Sequence, residues 1–467
     1  MRITIKDFGP VAEGEVDLMP LTIFVGPNDS GKSYVATLVH SIMSAENEAF
    51  SSSGAMGDRG VPAHRQFKEL CEKVAGIVRT SETPALGDFL ELQEGITGHI
   101  QGSFDDRLET SITGNFGSDL PSLVRTGQDA AKISVDGGFS ALLSDKASVT
   151  HARNTAMNPD DRVKLEDDLH DIMDASLPKM TTDHDDADLV ARRIVRLLAG
   201  AALESARIDG MPSSSFYLPA ARSGLIQGHK ALSAALIQNS RFAGAGGQRT
   251  PGLNGIASGF IAGITMLEGE PGELHGLGEE MEVEILGGRM DLRAVGGGLS
   301  HEIFYSTDTS SIPLHRTSST ISEVSALSLY LKHVARPGSL LIIEEPEAHL
   351  HLKNRAAMAR YIVRMVRSGL RVLVITHSSA IVEGLGKHML AGKAAPEKRR
   401  EAGIPPDDWL EYDEVAPYVF EGSKESGYRI REITKDVDTG IPHDDYMDEL
   451  QDQYNSAVKL EHILASK

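Results

Sequence analysis

A single eight-residue motif near the N-terminus constrains the fold of this chain more than any other feature. Residues 26–33 read Gly-Pro-Asn-Asp-Ser-Gly-Lys-Ser, which matches the phosphate-binding pattern G-x-x-x-x-G-K-[ST] at every specified position. An apolar, β-branched run at 21–25 precedes the motif, and residues 34–43 follow it with apolar side chains at helical spacing. The sequence therefore predicts a strand, a glycine-rich loop and a helix N-terminus, whose backbone N–H groups and dipole surround an anion.

The motif also indicates the ligand, because each position has a role when a nucleotide lies against such a loop. We expect Lys32 to contact the β- and γ-phosphates of ATP, and the Ser33 hydroxyl to ligate Mg²⁺. The alternative is a chance match on a turn before an ordinary helix. The expected nucleotide-binding residues of the loop are Gly26, Pro27, Asn28, Asp29, Ser30, Gly31, Lys32 and Ser33.

Composition narrows the class of protein. With 467 residues, of which 40% are hydrophobic, the chain is long enough to bury a large core and to divide into two or three lobes. No run approaches the roughly 18 apolar residues of a membrane span, and the N-terminus lacks a secretion signal. We therefore expect a cytoplasmic protein without membrane association. The single cysteine, Cys71, excludes an intrachain disulfide framework and a cysteine-rich metal site.

The charge balance bears on nucleic-acid binding. The formal net charge is −21 at pH 7, whereas proteins that hold nucleic acid by bulk electrostatics need clustered Lys and Arg. The basic runs in this chain, such as 398–400, are short and mixed with acids, which is typical of a solvated face. Binding of nucleic acid in a local groove stays possible, but the overall charge does not support it.

Two adjacent acids end an apolar run at 340–343. Glu344 and Glu345 follow Leu-Leu-Ile-Ile, and acids at the end of a buried strand are costly unless they engage a cation or a polarised water. In an enzyme with the phosphate-binding loop described above, Glu344 would hold Mg²⁺ through its water shell. Glu345 would then polarise the water that attacks the γ-phosphate. The alternative is a solvated acidic strand end.

A second apolar run, at 371–376, delivers His377 to the end of another predicted strand. This run follows the acidic one by about thirty residues with a helix between them, and βαβ spacing of this kind brings two strand ends side by side. We therefore expect His377 to donate a hydrogen bond to the γ-phosphate and to respond to its loss. The alternative is a structural histidine, which is the commoner role of a lone histidine.

Hydroxyl side chains open a further predicted helix, which extends from 317 to 333. Ser318 and Ser319 lie at its start. Hydroxyls before a helix usually serve as N-caps. The same residues could instead present the helix N-terminus to the phosphate of a nucleotide supplied by a second subunit.

The motifs are far apart in the sequence, which predicts an α/β head interrupted by a long insertion. We expect residues 1–44 to form the N-terminal part of the head, 45–209 a mostly helical insertion, 210–385 the C-terminal part of the head, and 386–467 an α/β extension that completes it.

Local patterns fill in this division. They predict strands at 216–219, 281–285, 416–420 and 428–433, helices at 163–177, 186–208 and 446–464, a polar turn at 220–224, weak breaks at 51–62 and 103–121, and a glycine-rich loop at 244–255. The strand at 281–285 is expected to begin a β-rich patch that continues to 305.

Four segments, taken in this order, are specific enough to indicate a relationship. They are the loop at 26–33, the serine-rich helix start at 317–323, Ile-Ile-Glu-Glu-Pro-Glu-Ala-His-Leu-His at 342–351 and Val-Ile-Thr-His-Ser at 374–378. This set resembles the ABC-type ATPase heads. Within them it is most similar to the branch that includes RecF-like and OLD-family (overcoming lysogenization defect) proteins and the ATPases of bacterial anti-phage systems. The resemblance covers 1–44, 216–224 and 281–379.

The resemblance implies a fold and an activity. The implied fold is an ABC-type P-loop ATPase head with a mixed sheet and a β-rich subdomain, and the implied activity is ATP hydrolysis, expected to be slow. Residues 26–33 correspond to the Walker A loop and Glu344 to the Walker B acid. Glu345 corresponds to the catalytic carboxylate and His377 to the switch histidine.

The resemblance also implies an assembly. Ser318 and Ser319 correspond to the signature motif, which contacts the γ-phosphate of the partner head, and 346–351 to the segment that faces that head. Such sites are completed by a second chain, which implies a homo-oligomer, at least a dimer, with ATP sandwiched between heads. OLD proteins continue into a nuclease domain, whereas Asp436 and Asp438 of this chain occur in a predicted turn. The chain therefore resembles an ATPase that regulates a separate effector protein, such as a nuclease or toxin, in anti-phage defence.

Two other hypotheses stay open. One is a RecF-like ATPase that binds DNA in repair or recombination, with an affinity that depends steeply on salt concentration. The other is a nucleotide-bound scaffold with negligible turnover, because Ser319 and Thr320 stand where the family signature has glycine, and Glu344 stands where the Walker B acid is usually aspartate. The candidate region for the Q-loop of the family is 219–222.

Overall fold

The structure of the chain is a computed structural model. It describes residues 1–54, 69, 71–78, 86–151, 159–176, 184–208, 210–228, 253–267, 269–295, 300–436 and 438–442. Within these ranges no helix combines the length and the apolar character that crossing a membrane requires. The chain divides into two compact units. Unit 1 comprises Met1–His40, Gly114–Ala131 and Pro212–Lys467, and unit 2 comprises Ser41–Thr113 and Lys132–Met211.

The described strands and helices are numbered here in chain order. The strands are β1 (Arg2–Phe8), β2 (Val11–Asp17), β3 (Leu21–Val25), β4 (Ala131–Val135), β5 (Phe139–Leu143), β6 (Ala147–His151), β7 (Ser215–Leu218), β8 (Arg289–Val295), β9 (Ser300–Ser306), β10 (Ser311–Pro313), β11 (Leu340–Glu344), β12 (Arg371–Ile375), β13 (Val415–Ser423) and β14 (Gly427–Glu432). The α-helices are α1 (Lys32–Gly54), α2 (Leu86–Phe116), α3 (Leu120–Leu123), α4 (Pro159–Ser176), α5 (His184–Ala206), α6 (Gly255–Thr265), α7 (His275–Met281), α8 (Ser319–His333), α9 (Leu352–Arg367), α10 (Ser379–Gly392) and α11 (Pro396–Glu401).

The main sheet of unit 1 is mixed, with the strand order β1-β2-β14-β13-β3-β12-β11-β7. Five successive strands of this sheet run parallel to one another, namely β13, β3, β12, β11 and β7. The pairs β1/β2 and β13/β14 are antiparallel. This arrangement confirms the predicted α/β class with a mixed sheet. It also places β13, from the predicted C-terminal extension, directly beside β3.

The central strands are mostly apolar because both faces of the sheet are covered. Every residue of β3 is buried, as are the first four residues of β11. Helices α8, α9 and α10 contribute to the same core, with side chains that include Leu327, Ile362 and Ile381. Burial stabilises by roughly 1.5–3 kcal/mol per large aliphatic side chain. The carboxyl edge of this sheet is therefore a firm support for the residues that follow each strand.

Residues 281–285 are helical, so the strand predicted there is wrong. Helix α7 passes directly into a π-helical turn at Glu282–Leu286. The alternating pattern misleads because Glu282, a polar position, is fully buried and well satisfied. Its carboxylate accepts hydrogen bonds from the Ser328 hydroxyl, the Lys332 ammonium and the Met290 N–H. The β-rich patch starts at β8 and continues through β9 and β10 as an antiparallel three-stranded sheet.

Unit 2 has a core of its own. Helices α2, α4 and α5 and the helical residues 71–78 supply its apolar side chains, among them Val74, Phe89, Leu169 and Ile194. Strands β4, β5 and β6 are neighbours in the order β6-β5-β4, with β5 and β6 antiparallel. The segment predicted to be mostly helical thus also contains strands. Their alternating burial, clear in β4 and β5, is the pattern that the sequence analysis missed.

Other local predictions have mixed outcomes. The strands at 216–219, 416–420 and 428–433 and the helices at 163–177 and 186–208 are confirmed by β7, β13, β14, α4 and α5. The break at 103–121 is wrong over most of its length because α2 continues to Phe116. Residues 222–228 are helical, so the predicted turn is limited to 220–221.

Some predictions fall wholly or partly outside the described residues. The helix predicted at 446–464 and most of the glycine-rich loop at 244–255 lie outside them. The predicted break at 51–62 is wrong where it is described, because α1 extends to Gly54. The four domain boundaries stay predictions.

Candidate functional site

Three sequence motifs lie at the carboxyl edge of neighbouring strands in unit 1. The loop at 26–33 follows β3, Glu344 ends β11, and His377 follows β12. Strand β12 pairs in parallel with both others, with Ile375 opposite Phe24 on one side and opposite Glu344 on the other. The three strand ends are therefore adjacent, as the βαβ spacing predicts. Parallel α/β sheets bind their ligands at this edge.

Two positions of the loop require glycine. Gly26 has φ 133° and Gly31 has φ 102°, values that other residues rarely adopt. A Cβ on Gly26 would lie 2.6 Å from the carbonyl oxygen of Phe420 in β13, and a Cβ on Gly31 would lie 2.7 Å from Val11 Cγ2. The loop is thus packed closely against its neighbours. Because α1 begins at Lys32, the N–H groups of its first turn have no partners within the helix.

The Lys32 ammonium is enclosed by the loop itself. Lys32 is only 5% exposed, and it donates hydrogen bonds to the carbonyl oxygens of Gly26 at 2.9 Å and Pro27 at 2.5 Å and to Ser30 Oγ at 3.3 Å. The adjacent Ser33 is exposed. A charge that is already desolvated interacts more strongly with a nearby anion than a solvated charge does. The loop therefore places the desolvated Lys32 ammonium at the position where the motif predicts phosphate.

The ammonium and the acids at the end of β11 share one electrostatic environment. Burial lowers the pKa of Lys32 from 10.5 to about 8, and the charges of Glu345, Asp29 and Glu344 oppose this shift. A lysine flanked by carboxylates at a strand edge is the charge arrangement that a nucleotide and Mg²⁺ require.

We expect the affinity for nucleotide to fall as the pH rises above about 8. Only the protonated Lys32 attracts phosphate, so binding above this pH must take up a proton, and the affinity decreases by up to about tenfold per pH unit. Calorimetry with a non-hydrolysable ATP analogue from about pH 7 to pH 10 measures the effect. The Lys32→Arg variant is the control, because a guanidinium stays charged over this range and should remove the pH dependence.

The lowered pKa of Lys32 also affects the stability of the nucleotide-free protein, and here the effect of rising pH is favourable. The pKa of Lys32 is lower in the folded state than in the unfolded state, so the unfolded state binds more protons between about pH 8 and 10.5. The contribution of this group to the free energy of unfolding therefore increases with pH over that window.

A nucleotide affinity that is constant from about pH 7 to pH 10 would contradict the role in phosphate binding that is predicted for Lys32.

The Glu344 carboxylate is oriented by two hydrogen bonds. The Tyr217 hydroxyl donates to Oε1 and the Ala220 N–H donates to Oε2, both at 2.8 Å. Tyr217 lies in β7, the parallel neighbour of β11, so the sheet itself fixes this geometry. Each carboxylate oxygen keeps a second lone pair for a water of the Mg²⁺ shell. Tyr217 was not predicted as a site residue, whereas Ala220 lies in the candidate Q-loop region at 219–222.

Glu345 has an unusual backbone. Its φ is 44°, in the left-handed region that costs a non-glycine residue roughly 1–2 kcal/mol. Its N–H donates to the carbonyl oxygen of Ile375 at 2.8 Å, and its carbonyl oxygen accepts from the Ala348 N–H at 3.0 Å. The β11/β12 ladder thus extends to the residue at which the chain leaves the sheet. Such a conformation persists only where surrounding contacts maintain it.

Arg222, the last residue of the candidate Q-loop region at 219–222, provides several of these contacts, a role that was not predicted for it. It is 3% exposed, and Nη1 donates to the carbonyl oxygens of Glu344 at 2.6 Å and Pro219 at 3.1 Å, while Nη2 donates to that of Glu345 at 3.1 Å. Nε lies 2.6 Å from Glu323 Oε2. The sequence signal available was a single arginine in the predicted polar turn, three residues after the predicted strand at 216–219.

A second buried acid connects the ends of β11 and β12. Glu347 is 9% exposed, and its Oε1 accepts from the Thr376 hydroxyl at 2.7 Å and the His377 N–H at 3.1 Å. Its Oε2 is buried without a hydrogen-bond partner. Burial and then the charge of Lys32 lower the pKa of His377, while Glu345 opposes them. The ring is therefore mainly neutral at pH 7 and can donate one hydrogen bond.

The start of α8 has a capping role within its own chain. The Ser318 hydroxyl accepts from the Ile321 N–H at 3.4 Å, as the N-cap alternative predicts. The Thr320 hydroxyl donates to the carbonyl oxygen of His349 at 2.8 Å, so it ties this helix start to the segment at 346–351. Threonine therefore has a structural function where the family signature has glycine. A role of Ser318 and Ser319 toward a phosphate in another subunit stays a prediction.

The donor set fits Mg²⁺ at a nucleotide. This ion usually takes one or two protein ligands and completes its shell with phosphate oxygens and water. Ser33 follows β3 and Glu344 ends β11, the two strands on either side of β12, and they supply one hydroxyl and one carboxylate. Over the described ranges no group of three or more His, Cys, Asp and Glu is placed to hold a metal ion.

The C-terminal half of the site lies in a segment that matches a known family. Residues 277–382 match the AAA ATPase domain family. The matched segment includes α8, β11, the acids at 344–345, β12 and His377. A search of curated proteins finds no significant relative.

Three solved structures are similar to this chain at low sequence identity. The SMC head bound to the C-winged helix domain of ScpA has 11% identity and a TM-score of 0.40, covering 93% of this chain and 97% of that one. The SMC head domain from Thermotoga maritima has 10% identity and a TM-score of 0.34, covering 93% and 98%. The SMC head domain with an extended coiled coil, bound to the C-terminal domain of ScpA derived from Pyrococcus furiosus, has 11% identity and a TM-score of 0.35, covering 93% and 96%.

Proposed function

We propose that this protein is an ABC-type ATPase that binds and slowly hydrolyses ATP with Mg²⁺ as cofactor. The observation that carries the proposal is the placement of the loop at 26–33, Glu344, Glu345 and His377 at the ends of three adjoining parallel strands. The match of residues 277–382 to an ATPase domain family supports the same activity.

Each residue has a distinct role in this proposal. Lys32 and the loop N–H groups bind the β- and γ-phosphates, and Ser33 and Glu344 hold Mg²⁺, which neutralises charge on the phosphate oxygens. Glu345 accepts a hydrogen bond from the attacking water and polarises it. His377 donates a hydrogen bond to the γ-phosphate.

The proposal extends to assembly. A helix N-terminus attracts anions, and the start of α8 has an exposed Ser318 and a half-buried Ser319. In the proposed oligomer, at least a homodimer, these residues contact the γ-phosphate held by the other chain. The energy of nucleotide binding then becomes energy of association. In the cytoplasm, this assembly regulates a separate effector protein, such as a nuclease or toxin, in anti-phage defence. The sequence resemblance alone supports this role.

Complementation between two inactive variants tests both the activity and the assembly. One chain carries Ser318→Arg and Ser319→Arg, and the other carries Lys32→Ala. In a mixed dimer one composite site has both lesions and the other has neither. Equal mixing should therefore restore about a quarter of the wild-type rate of phosphate release, because about half of the dimers are mixed.

The control is each variant alone at the same total concentration, which should stay inactive. Formation of mixed oligomers is verified by pull-down through a tag on one chain. Mixed oligomers without activity would overturn the assembly model and leave the serines as helix caps. A wild-type protein that neither binds ATP nor releases phosphate would overturn the proposed function itself.

A further inference from the structure

Three parts of unit 1 meet at the guanidinium of Arg222. The residue opens the helical segment that follows β7, and it donates to the carbonyl oxygens of Glu344 and Glu345 at the end of β11. Its Nε forms a buried ion pair with Glu323 of α8 at 2.6 Å. One side chain thus joins the strand that orients Glu344, the turn that carries Glu345 and the helix that begins at Ser319.

The donors of this guanidinium are almost fully used. Arginine has five N–H groups. Two of them, on Nη1, serve the carbonyl oxygens of Pro219 and Glu344, one on Nη2 serves that of Glu345, and the one on Nε donates to the main-chain carbonyl oxygen of Glu323 at 3.4 Å. With four donors engaged and the side chain buried, Arg222 is not arranged to bind phosphate. Its geometry serves the protein backbone.

The backbone that Arg222 contacts includes Glu345, a residue in an unfavourable conformation. Glu345 has a φ of 44°, and an arginine fork that bridges two successive carbonyl oxygens restricts rotation of the peptide between them. A carboxylate misplaced by about 1 Å can reduce a catalytic rate by two orders of magnitude. The position of the Glu345 carboxylate therefore depends on the fork as well as on the sheet.

We infer that Arg222 is a positioning residue for hydrolysis, which sets the turn at Glu344 and Glu345, and that Glu323 couples this turn to α8. The inference rests on the proposed function and goes beyond it. A shift of α8 when its N-terminus engages a nucleotide moves Glu323, and the ion pair transmits that movement to the carbonyl oxygens of the catalytic turn. Hydrolysis then requires both the ion pair between Arg222 and Glu323 and the hydrogen bonds from Arg222 to the catalytic turn.

Two variants separate positioning from charge compensation. Arg222→Lys keeps a positive charge beside Glu323 but loses the planar fork. The double variant Arg222→Met, Glu323→Gln removes both buried charges, and so avoids the unpaired carboxylate that Arg222→Met alone would leave. A matched control is Arg364→Lys, since Arg364 also pairs through two nitrogens, with Asp408 at 2.7 and 3.2 Å, and has no part in the site.

Three measurements are made on each full-length variant: the thermal unfolding midpoint, the affinity for a non-hydrolysable ATP analogue, and the rate of phosphate release at saturating ATP. For Arg222→Lys and for the double variant, we expect the affinity to stay within about threefold of wild type and the turnover to fall by at least about tenfold. The double variant should unfold at a higher temperature than Arg222→Met alone without regaining turnover. Arg364→Lys should keep wild-type turnover.

Wild-type turnover in either Arg222→Lys or the double variant would overturn the inference, because charge compensation alone would then explain the ion pair. A loss of nucleotide affinity parallel to the loss of turnover would also overturn it, since Arg222 would then act on the fold of the whole site. Absence of ATP turnover in the wild-type protein is a different outcome, which overturns the proposed function and the inference together.

Discussion

Replacement of Lys32 by alanine should severely weaken nucleotide binding in a protein that remains folded. Lys32 is the buried cation of the loop at 26–33, and loss of a charge-assisted contact in a desolvated site costs on the order of 2–4 kcal/mol. This corresponds to a decrease in affinity of roughly 30-fold to 1,000-fold. Calorimetric titration with ATP and Mg²⁺ measures the change directly.

The matched control is Lys6→Ala, because Lys6 is an exposed residue of β1 and is not part of the loop at 26–33. It should bind ATP like the wild type, which shows that loss of one positive charge from an acidic protein is not the cause. Unchanged affinity in a folded Lys32→Ala variant would mean that the loop at 26–33 is not the phosphate site.

Replacement of Glu345 by glutamine should leave nucleotide binding intact and stop hydrolysis. The amide keeps the size of the side chain but is a much weaker base for the attacking water, and removal of a general base typically lowers a rate by about 10²–10⁴-fold. The variant should accumulate an ATP-bound oligomer, because hydrolysis no longer releases it. Single-turnover phosphate release and size-exclusion chromatography with ATP record the two effects.

Glu421→Gln is the control for this substitution, since Glu421 is an exposed acid of β13 that pairs with Arg431 at 3.1 Å. It should hydrolyse ATP at the wild-type rate. If Glu345→Gln does so as well, the base lies elsewhere, and Glu344 and Glu347 become the candidates to replace in turn.

The parts of the site that the sequence predicts are those with a local physical cause. The loop at 26–33 is recognisable because a strand–loop–helix turn that binds phosphate has specific requirements at several positions. Glycine at 26 and 31 and lysine at the start of the helix meet them. The strands that end at Glu344 and Ile375 are recognisable because a strand buried on both faces is a continuous apolar run. Their adjacency follows from the length of the helix between them.

The parts that it misses are contacts between distant segments. Arg222 is 122 residues from Glu344 along the chain and about as far from Glu323, so no periodicity in the sequence relates them. Glu282 belongs to the same class. Its buried partners come from α8 and β8, and without them the alternation at 281–285 predicts a strand. The omission of Arg222 and the error at 281–285 thus share an origin, a polar residue with partners from segments that are distant in the sequence.

The position of β13 in the sheet has a consequence for synthesis of the protein. Strand β3 leads into the loop at 26–33, yet both of its neighbours, β12 and β13, come from the C-terminal third of the chain. On the ribosome, β3 is therefore exposed without a partner until residues 371–375 and then 415–423 have emerged. Pairing over such sequence separations is slow, and unpaired apolar strands are prone to aggregate. A chain that terminates before β13 would carry every recognisable nucleotide-binding motif and still lack the strand against which Gly26 packs, so premature termination should yield insoluble protein instead of an unregulated ATPase.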